Sequence, residues 1–442
     1  MPIEIKRKGG RREFRQVSFG STAVDLTQYS NKSLFSNRLC GASLSEPRAG
    51  TGVHGVPKSV LVGLGLQCGD GILPLHQPFW GKEMRRGSLK MLAVFVLAFS
   101  AFVSAQSYTI IDLGALKGKN ESSGLWINNL GDVVGCSDMQ TSMGYPCTGL
   151  VAGQHAFYWR RGKGMKDLGT LSGGSVSGAL GLNDSGVVVG YSNVKGQPAT
   201  NFIAVRWSST GTISSLGTLS GGSSSAAFQV NSAGEASGDS FLSSGMVNAT
   251  RWTNNKISNL GKLKGSIFNA GLAINDNGLI VGESVFSYGP PFTSHGFLWN
   301  GSTMKDLGTL LGGLTSMANS INSLGVIVGQ SDGISTLGHW HAVKWDATGK
   351  IKDLGVLRGG TYSVAFGVND SDVVVGYGNI ATNAPHAMIW TASHGMRDLN
   401  SLIPANSGWT LINANSINNV GQITGYGSHN GRNHAFVLTP VN

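Results

Sequence analysis

One motif repeated seven times constrains the fold of this chain more than any other feature. An Asn preceded by an aliphatic residue recurs at spacings of 55, 48, 44, 47, 47 and 49 residues. These positions are Asn128, Asn183, Asn231, Asn275, Asn322, Asn369 and Asn418. A Gly stands seven residues after each Asn, at Gly135, Gly190, Gly238, Gly282, Gly329, Gly376 and Gly425. A Gly or Ala stands four residues before it, at Gly124, Ala179, Ala227, Gly271, Ala318, Ala365 and Ala414. Two offsets kept in seven copies indicate a repeat architecture.

Each copy predicts four short β-strands and no helix. The first strand is rich in small residues and ends in the Asn, as in 365–369. A polar turn, such as 275–278, leads to a β-branched second strand that ends in the Gly. The third strand ends in Trp in six copies and in Leu438 in the last, and the fourth carries Asp-Leu-Gly, as in 306–308. Such units are antiparallel and rich in hairpins.

Seven four-stranded repeats of about 47 residues predict an all-β, seven-bladed β-propeller. The small residues of the first strand suit the crowded centre of a ring. A β-solenoid is the competing architecture, but its coils are shorter and need no hairpin in every unit. The chain opens on a fourth-strand segment, 108–114, and ends on a third-strand segment, 434–438. We therefore expect the opening strand to pair in the last blade, beside Phe436, and to close the ring.

A signal peptide is predicted at residues 84–105. The apolar run Met91–Val103 is 13 residues long, which is shorter than the roughly 20 residues of a membrane-spanning helix. Basic residues precede the run, and small residues at Val103 and Ala105 follow, so cleavage is expected after Ala105. An uncleaved anchor is the alternative. After cleavage we expect no stable membrane span.

The charge separates the leader from the repeats. Residues 1–105 hold 14 Lys+Arg and 6 Asp+Glu, a balance of +8, whereas residues 106–442 hold 19 and 17, a balance of +2. The formal charge of +10 therefore gives no reason to expect a nucleic-acid partner. Residues 1–83 show no periodicity and share nothing with the repeats. We interpret them as a disordered, non-native upstream extension, with Met84 as the start and 106–442 as the propeller.

The repeat motifs resemble a known family. The third strands carry His-Ala-Phe or a variant of it, and the fourth strands carry Asp-Leu-Gly-Thr-Leu followed by Gly-Gly. The first motif lies at 155–157, 295–297, 341–343, 386–388 and 434–436, and the second at 167–171 with 173–174. Together they resemble the HAF-repeat family of bacterial extracellular proteins over about residues 108–442. In copies two and three, Asn201 and Asn248 stand near the expected His. The resemblance implies export and implies no activity.

The repeated His and Asp residues favour structural roles over chemistry. One His per blade separates neighbouring imidazoles, whereas zinc needs three or four ligands at one centre. We expect these His side chains to form hydrogen bonds with a neighbouring strand or loop. His339 and His341 share a strand face but lack a recognisable third ligand. The repeated Asp residues are not a pair of catalytic carboxylates. We therefore predict no catalytic residue, no metal site and no cofactor.

The loops that differ between copies hold the remaining candidates. In copy one, Cys136 and Cys147 are eleven residues apart and are expected to form a disulfide in an exported protein. Aromatic residues in the loops can stack on sugars or anchor a protein partner, although packing of the loop is an equally common role. The candidates are Tyr145, Phe286, Tyr288, Phe292, Trp340 and Trp409.

The sequence therefore favours a secreted, periplasmic or cell-surface protein that binds or scaffolds. A glycan or a protein is the expected partner, and the propeller is expected to be a monomer. The alternative is a carbohydrate-active hydrolase or lyase on the same fold, and a third interpretation is a structural component of the wall or matrix. Convergence of Glu121, Asp138, Asp239, Glu283 or Asp332 with one another or with a His would favour the enzyme.

Overall fold

The computed structural model describes residues 107–138, 147, 153–196, 201–336 and 338–441. Strands form the regular structure of these ranges, together with two short 3-10 helices, Ile334–Thr336 and Leu399–Leu402. Neither helix has the length or hydropathy to span a membrane, and the described ranges contain no other helix. The predicted upstream extension and signal peptide lie outside the described residues.

Each copy of the repeat motif contains one set of strands. We call each copy with its strands a unit. Strand β1 is Ser107–Asp112. Units one to three contain β2 (Ser122–Ile127), β3 (Val133–Ser137), β4 (His155–Arg160), β5 (Gly164–Asp167), β6 (Ser177–Leu182), β7 (Val188–Asn193), β8 (Phe202–Trp207), β9 (Ile213–Gly217), β10 (Ser225–Val230), β11 (Ala236–Phe241), β12 (Val247–Thr253) and β13 (Lys256–Asn259). Units four to seven contain β14 (Phe268–Ile274), β15 (Ile280–Ser287), β16 (Thr293–Trp299), β17 (Met304–Asp306), β18 (Ser316–Ile321), β19 (Ile327–Ser331), β20 (His341–Trp345), β21 (Ile351–Asp353), β22 (Ser363–Val368), β23 (Val374–Asn379), β24 (Pro385–Thr391), β25 (Gly395–Asp398), β26 (Trp409–Ile417), β27 (Ile423–His429) and β28 (Arg432–Val441).

These strands form five separate four-stranded sheets and one eight-stranded sheet. The separate sheets are β2–β5, β6–β9, β18–β21, β22–β25 and a sheet in the order β1-β28-β27-β26. The eight-stranded sheet combines β10–β13 with β14–β17 through a parallel pair of residues, Val247 and Phe268. In the fifth sheet β1 runs antiparallel to β28, from Ser107 opposite Val441 to Asp112 opposite Phe436. The prediction of an all-β propeller is confirmed, with five separate blades.

A β-bulge in every first strand explains the two conserved offsets. The small residue four positions before the Asn pairs directly with the Gly seven positions after it, as Ala365 does with Gly376. The register shifts immediately after this pair in all seven units. A Cβ atom on Gly376 would lie 1.9 Å from the carbonyl oxygen of Val364. At the seven equivalent Gly residues this separation is 1.9–2.0 Å, so no larger residue fits there.

The repeated Asn joins its own turn to the next unit. The Oδ1 atom of Asn322 accepts the N–H of Val326 at 2.8 Å, and its Nδ2 donates to the carbonyl of Asn369 at 3.0 Å. The same amide-to-carbonyl bond links the Asn of each other unit to that of the following unit, and it also links Asn418 to Asn128. All seven Asn side chains are buried, so these bonds tie neighbouring turns together in an interior setting.

Apolar contacts fill the space between neighbouring sheets. Val134 and Ala156 of unit one pack with Ala179, Val205 and Trp207 of unit two. The indole N–H of Trp207 donates to the carbonyl of Leu168, in the preceding unit, at 2.8 Å. Trp252 and Trp345 form the same bond with Leu216 and Leu307. In these three units the Trp of the third strand therefore joins its sheet to the preceding unit.

The antiparallel strand order gives each sheet two distinct ends. We call the end that carries the Asn turns the Asn end, and the opposite end, where second and third strands connect, the loop end. The start of each third strand and the end of each second strand lie at the loop end. The His-Ala-Phe motifs and the segments between second and third strands therefore belong to the loop end.

Candidate functional site

His and Asp side chains form a pair at the loop end of five sheets. The Nδ1 atom of a third-strand His lies 2.6–3.0 Å from a carboxylate oxygen of the Asp on the neighbouring strand. The pairs are His155–Asp167, His295–Asp306, His341–Asp353, His386–Asp398 and His434–Asp112. The expectation that these His residues bond to a neighbouring strand is confirmed.

Backbone amides hold the carboxylates of these pairs in place. Asp306 and Asp353 accept the N–H of the Gly two residues later, at 2.7 Å in both cases. Partial burial acts to raise the pKa of both carboxyl groups, but the hydrogen bonds from His and Gly outweigh it and lower the pKa. In these two pairs the contacts therefore favour the charged form of Asp306 and Asp353, which is typical of structural hydrogen bonding between strands.

Two units lack the pair, and the register shows what replaces it. In unit three, Asn248 donates from Nδ2 to Oδ1 of Asn259 at 3.1 Å, so a neutral pair stands in for His and Asp. In unit two, Ile203 lies opposite Ser192, as His155 lies opposite Ser137 in unit one. Ile203, two residues beyond Asn201, therefore occupies the His position of that unit.

Unit seven adds a second His to its pair. Strand β27 extends to His429, and the turn at Asn430 and Gly431 brings the chain back into β28. His429 Nδ1 lies 2.8 Å from Oδ2 of Asp112, and His434 Nδ1 lies 3.0 Å from both oxygens of the same carboxylate. Burial acts to raise the pKa of Asp112, but hydrogen bonds from both His residues and from the Gly114 amide lower it.

Sequence reasoning missed this cluster because its members lie far apart in the chain. Asp112 and His429 are separated by 317 residues, and His429 has no counterpart in the repeat motif. The sequence feature that pointed to this cluster was the expected pairing of the opening strand, 108–114, beside Phe436. That register places Asp112 opposite Phe436, which is seven residues after His429 in the chain.

The predicted binding aromatics do not form one surface. Trp409 is the first residue of β26, where it stacks on His429 with ring centres 4.6 Å apart and contacts Phe436 edge-on. Phe286 lies in β15, not in a loop, and packs edge-on against His295. Trp340 donates its indole N–H to Thr315 Oγ1 at 2.9 Å. These three side chains take part in packing.

Tyr288 and Phe292 flank the Pro290–Pro291 segment and are the more accessible pair. Their ring centres lie 6.4 Å apart, and Tyr288 is 44% exposed. Partial burial of its hydroxyl and the nearby Glu283 raise the pKa of Tyr288 to about 12, so the hydroxyl stays protonated at neutral pH. This pair presents aromatic surface at the loop end. Tyr145 lies outside the described residues.

Cys136 and Cys147 are joined by a disulfide in the structure, with Cα atoms 5.6 Å apart. Both residues are buried and pack against Tyr426 of unit seven. The carbonyl of Cys147 accepts the hydroxyl of Tyr191 at 2.7 Å. The disulfide therefore holds Cys147, in the segment between β3 and β4, next to Tyr426 of unit seven and Tyr191 of unit two.

The five carboxylates that would mark an enzyme each have other partners. Asp138 pairs with Lys119 at 3.0 Å, and Glu121 accepts from Asn433 at 3.3 Å. Asp332 accepts the backbone N–H groups of Leu314 and Thr315. Asp239 accepts a backbone N–H from Ala226, and Glu283 accepts from Ser294. None of these side-chain contacts is with a His or with another of the five carboxylates, although the backbone N–H of Asp138 donates to the carbonyl of Glu121 at 2.8 Å.

The fold and the site define the class of this protein as an all-β propeller with paired His and Asp side chains at its loop end. A scan against protein-family models finds no matching family, and a search of curated proteins finds no match.

Solved structures resemble the chain at low identity. Oligogalacturonate lyase in complex with manganese is 9% identical, over 77% of this chain and 95% of that one, with a TM-score of 0.47. YCF48 bound to D1 peptide is 10% identical, over 77% and 98%, with a TM-score of 0.40. The extracellular domain of a one-component system from B. thetaiotaomicron is 7% identical over 76% of this chain, with a TM-score of 0.43, and the match spans 40% of that structure. At these values no function transfers.

Proposed function

We propose that the repeats form a closed ring of seven blades. Within the eight-stranded sheet, β10–β13 and β14–β17 each have the strand order of one unit and meet at a single parallel pair, which supports counting two blades. Three contacts support closure. Strand β1 completes the last sheet, Asn418 bonds to the carbonyl of Asn128, and the N–H of Ala435 donates to Ser122 Oγ at 2.9 Å.

We propose further that the chain belongs to the HAF-repeat family and is exported after cleavage of residues 84–105. The support for the family is the repeated His-Ala-Phe and Asp-Leu-Gly motif, whose His and Asp pair in five sheets. The support for export is the basic, apolar and small-residue order of the segment before the propeller. The Cys136–Cys147 disulfide is consistent with an oxidising compartment.

The function we propose is binding or scaffolding of a neutral glycan or a protein, outside or at the surface of the cell, by a monomeric propeller. One observation favours this choice over the hydrolase or lyase: each candidate carboxyl side chain has its own hydrogen-bond or ion-pair partner, and none of these partners is a His. The exposed face of Tyr288 with Phe292 is the aromatic surface best placed for such a ligand. The low net charge of residues 106–442 suits a neutral partner.

A glycan array probed with residues 106–442 tests this proposal. We expect retention of a subset of neutral glycans without their turnover, and loss of most of that signal in the double variant Tyr288→Ala, Phe292→Ala. Leu324→Ala is the matched control, because Leu324 is 65% exposed but lies at the Asn end. Release of shortened glycans would favour the hydrolase or lyase. Equal glycan binding by the double variant and the control would show that Tyr288 and Phe292 do not form the binding surface.

A further inference from the structure

The cluster of Asp112, His429 and His434 has the composition of a metal site. Their ligand atoms, one carboxylate oxygen and two imidazole nitrogens, all lie within 4.8 Å of one another. This is the one such group of three among the residues that the structure describes. Two imidazoles with one carboxylate are a common ligand set for divalent transition metals, zinc above all. We propose that these three residues bind a zinc-class divalent ion that fastens β1 to the last unit, in contrast to the expectation of no metal from the sequence.

The separations between the ligand atoms suit such an ion. The measured Nδ1-to-oxygen distances are 2.8 and 3.0 Å. A tetrahedral zinc centre with bonds of about 2.0–2.2 Å holds its ligand atoms about 3.3–3.6 Å apart. Each imidazole nitrogen therefore needs to move away from the carboxylate oxygen by only about half an ångström to admit the ion. All three side chains are partly accessible, at 18–30% exposure, so the ion can enter from solvent and keep a water molecule as a further ligand.

Neighbouring groups hold the ligands in the required orientation. The ring of Trp409 lies parallel to that of His429, with an interplanar angle of 5°. The side-chain amide of Asn430 lies 3.3 Å from Nε2 of His429, and the Gly114 amide donates to Asp112 at 2.7 Å. On metal binding at Nδ1, the proton of a neutral ring resides on Nε2. After rotation of its side-chain amide, the Asn430 oxygen can accept a hydrogen bond from the Nε2–H group of His429.

The other units supply an internal comparison. Four sheets pair one His with one Asp, and their pairs have the same Nδ1-to-carboxylate contact as His434 with Asp112. Strand pairing in the other units therefore involves at most one His, since units two and three carry Ile203 and Asn248 at this position. The second His appears where the Asp is contributed by β1, a strand separated from the rest of its sheet by most of the chain. An ion at this point would connect the two termini of the propeller, which no covalent bond among the described residues does.

Calorimetric titration of Zn²⁺ into tag-free, chelator-treated protein (residues 106–442) tests the proposal, together with thermal melts at each metal level. We expect one ion per chain and a higher melting temperature with zinc, as for any ligand that binds only the native state. His429→Gln should weaken binding by at least about tenfold and remove the thermal shift. His155→Gln is the matched control, because it takes the His from a single pair in unit one and should leave zinc affinity unchanged.

Two outcomes would overturn the proposal. Equal zinc affinity in wild type, His429→Gln and His155→Gln would indicate adventitious surface binding only. Tight zinc binding that depends on His429 but does not raise the melting temperature would show that the ion does not fasten β1 to the last unit. Because His429→Gln leaves the His434–Asp112 pair in place, circular dichroism should show it folded, and an absorption spectrum with Co²⁺ gives a second measure of the ligand set. None of these readouts depends on glycan or protein binding.

Discussion

Two buried carboxyl groups stand out among the single residues of this protein. Asp239 and Glu283 occupy the position directly after the conserved Gly in units three and four, where they are 3% and 6% exposed. The same position in the other units holds an uncharged residue: Cys136, Tyr191, Gln330, Tyr377 and Tyr426. Burial raises the pKa of both carboxyl groups to about 7, although each accepts one hydrogen bond that acts in the opposite direction.

Glu283→Gln should reduce the loss of stability that occurs as the pH rises from about 5 to about 7. A carboxyl group whose pKa is higher in the folded than in the unfolded state stabilises the protein at low pH, and this contribution is lost as the pH rises through the folded value, here about 7. Wild type should therefore lose about 2–3 kcal/mol more than the variant between pH 5 and pH 8.5. Urea unfolding at both pH values measures the difference.

The reverse substitution at the equivalent site is the control for this prediction. Gln330 is 6% exposed and also follows the conserved Gly of its unit. Gln330→Glu should make the protein less stable at pH 8.5 by a similar amount, because a charge would then be buried in a third unit. Parallel pH profiles for wild type and Glu283→Gln would contradict the assignment of a raised pKa to Glu283.

At the scale of single strands, the bulge of the first strand makes the conserved Gly obligatory. Gly376→Ala would bring Cβ to 1.9 Å from a backbone oxygen, so the strand must move or separate. We expect a loss of about 3 kcal/mol in the free energy of unfolding, at the upper end of the usual range for over-packing, measured by chemical denaturation. Gly289→Ala is the control, since its Cβ would meet the nearest atom, Ser287 Oγ, at 3.7 Å. Equal stabilities of the two variants would show that the bulge can rearrange without cost.

The pattern of strands could be read from the sequence, but their pairing details could not. The offsets of −4 and +7 residues marked two strand positions, yet the sequence gives no sign that these positions face each other across a bulge. Ala365 and Gly376 meet because one extra residue is accommodated between them and the turn. A bulge changes register without changing composition, so hydrophobic patterns do not reveal it.

The individual His and Asp residues of the candidate site could be predicted from the sequence, but which of them meet could not. The repeated His and Asp were each recognised, and strand order brings them together, with Asn248 and Asn259 as the neutral substitute in unit three. His429 escaped notice because it lies outside the motif and meets Asp112 only through the pairing of β1 with β28. The expected loop positions of Phe286 and Trp409 are wrong, because both residues belong to strands and pack on His rings.

Contacts between the first and last units govern the molecule as a whole. Asn415 donates to the carbonyl of Gly124 at 2.7 Å, in addition to the bonds from Asn418 to Asn128 and from Ala435 to Ser122. Tyr108 of β1 is 1% exposed and packs in the core of the last two units. In the proposed ring, stability therefore depends on a short strand at the start of the propeller. Loss of that strand would open the sheet of unit seven first.

Removal of residues 108–114 from the mature chain should lower the melting temperature and expose β28 as an unpaired edge. The deletion takes away the ladder opposite β28 and the buried ring of Tyr108. We expect a loss of several kcal/mol in unfolding free energy, with hydrogen-exchange protection lost first in β27 and β28. An exposed edge strand also promotes self-association, so size-exclusion chromatography should show oligomers.

Adding the strand back as a separate peptide distinguishes the effect of an open ring from a general effect of truncation. A synthetic peptide of residues 107–114 should bind the deleted protein, raise its melting temperature and return it to the monomer, because the edge of β28 remains available to pair. A peptide of the same composition in scrambled order is the control, since it lacks the alternation that places Tyr108 in the core. A deleted protein with unchanged melting temperature and monomer content would contradict the closed ring, because β1 would then contribute nothing that the remaining units do not supply.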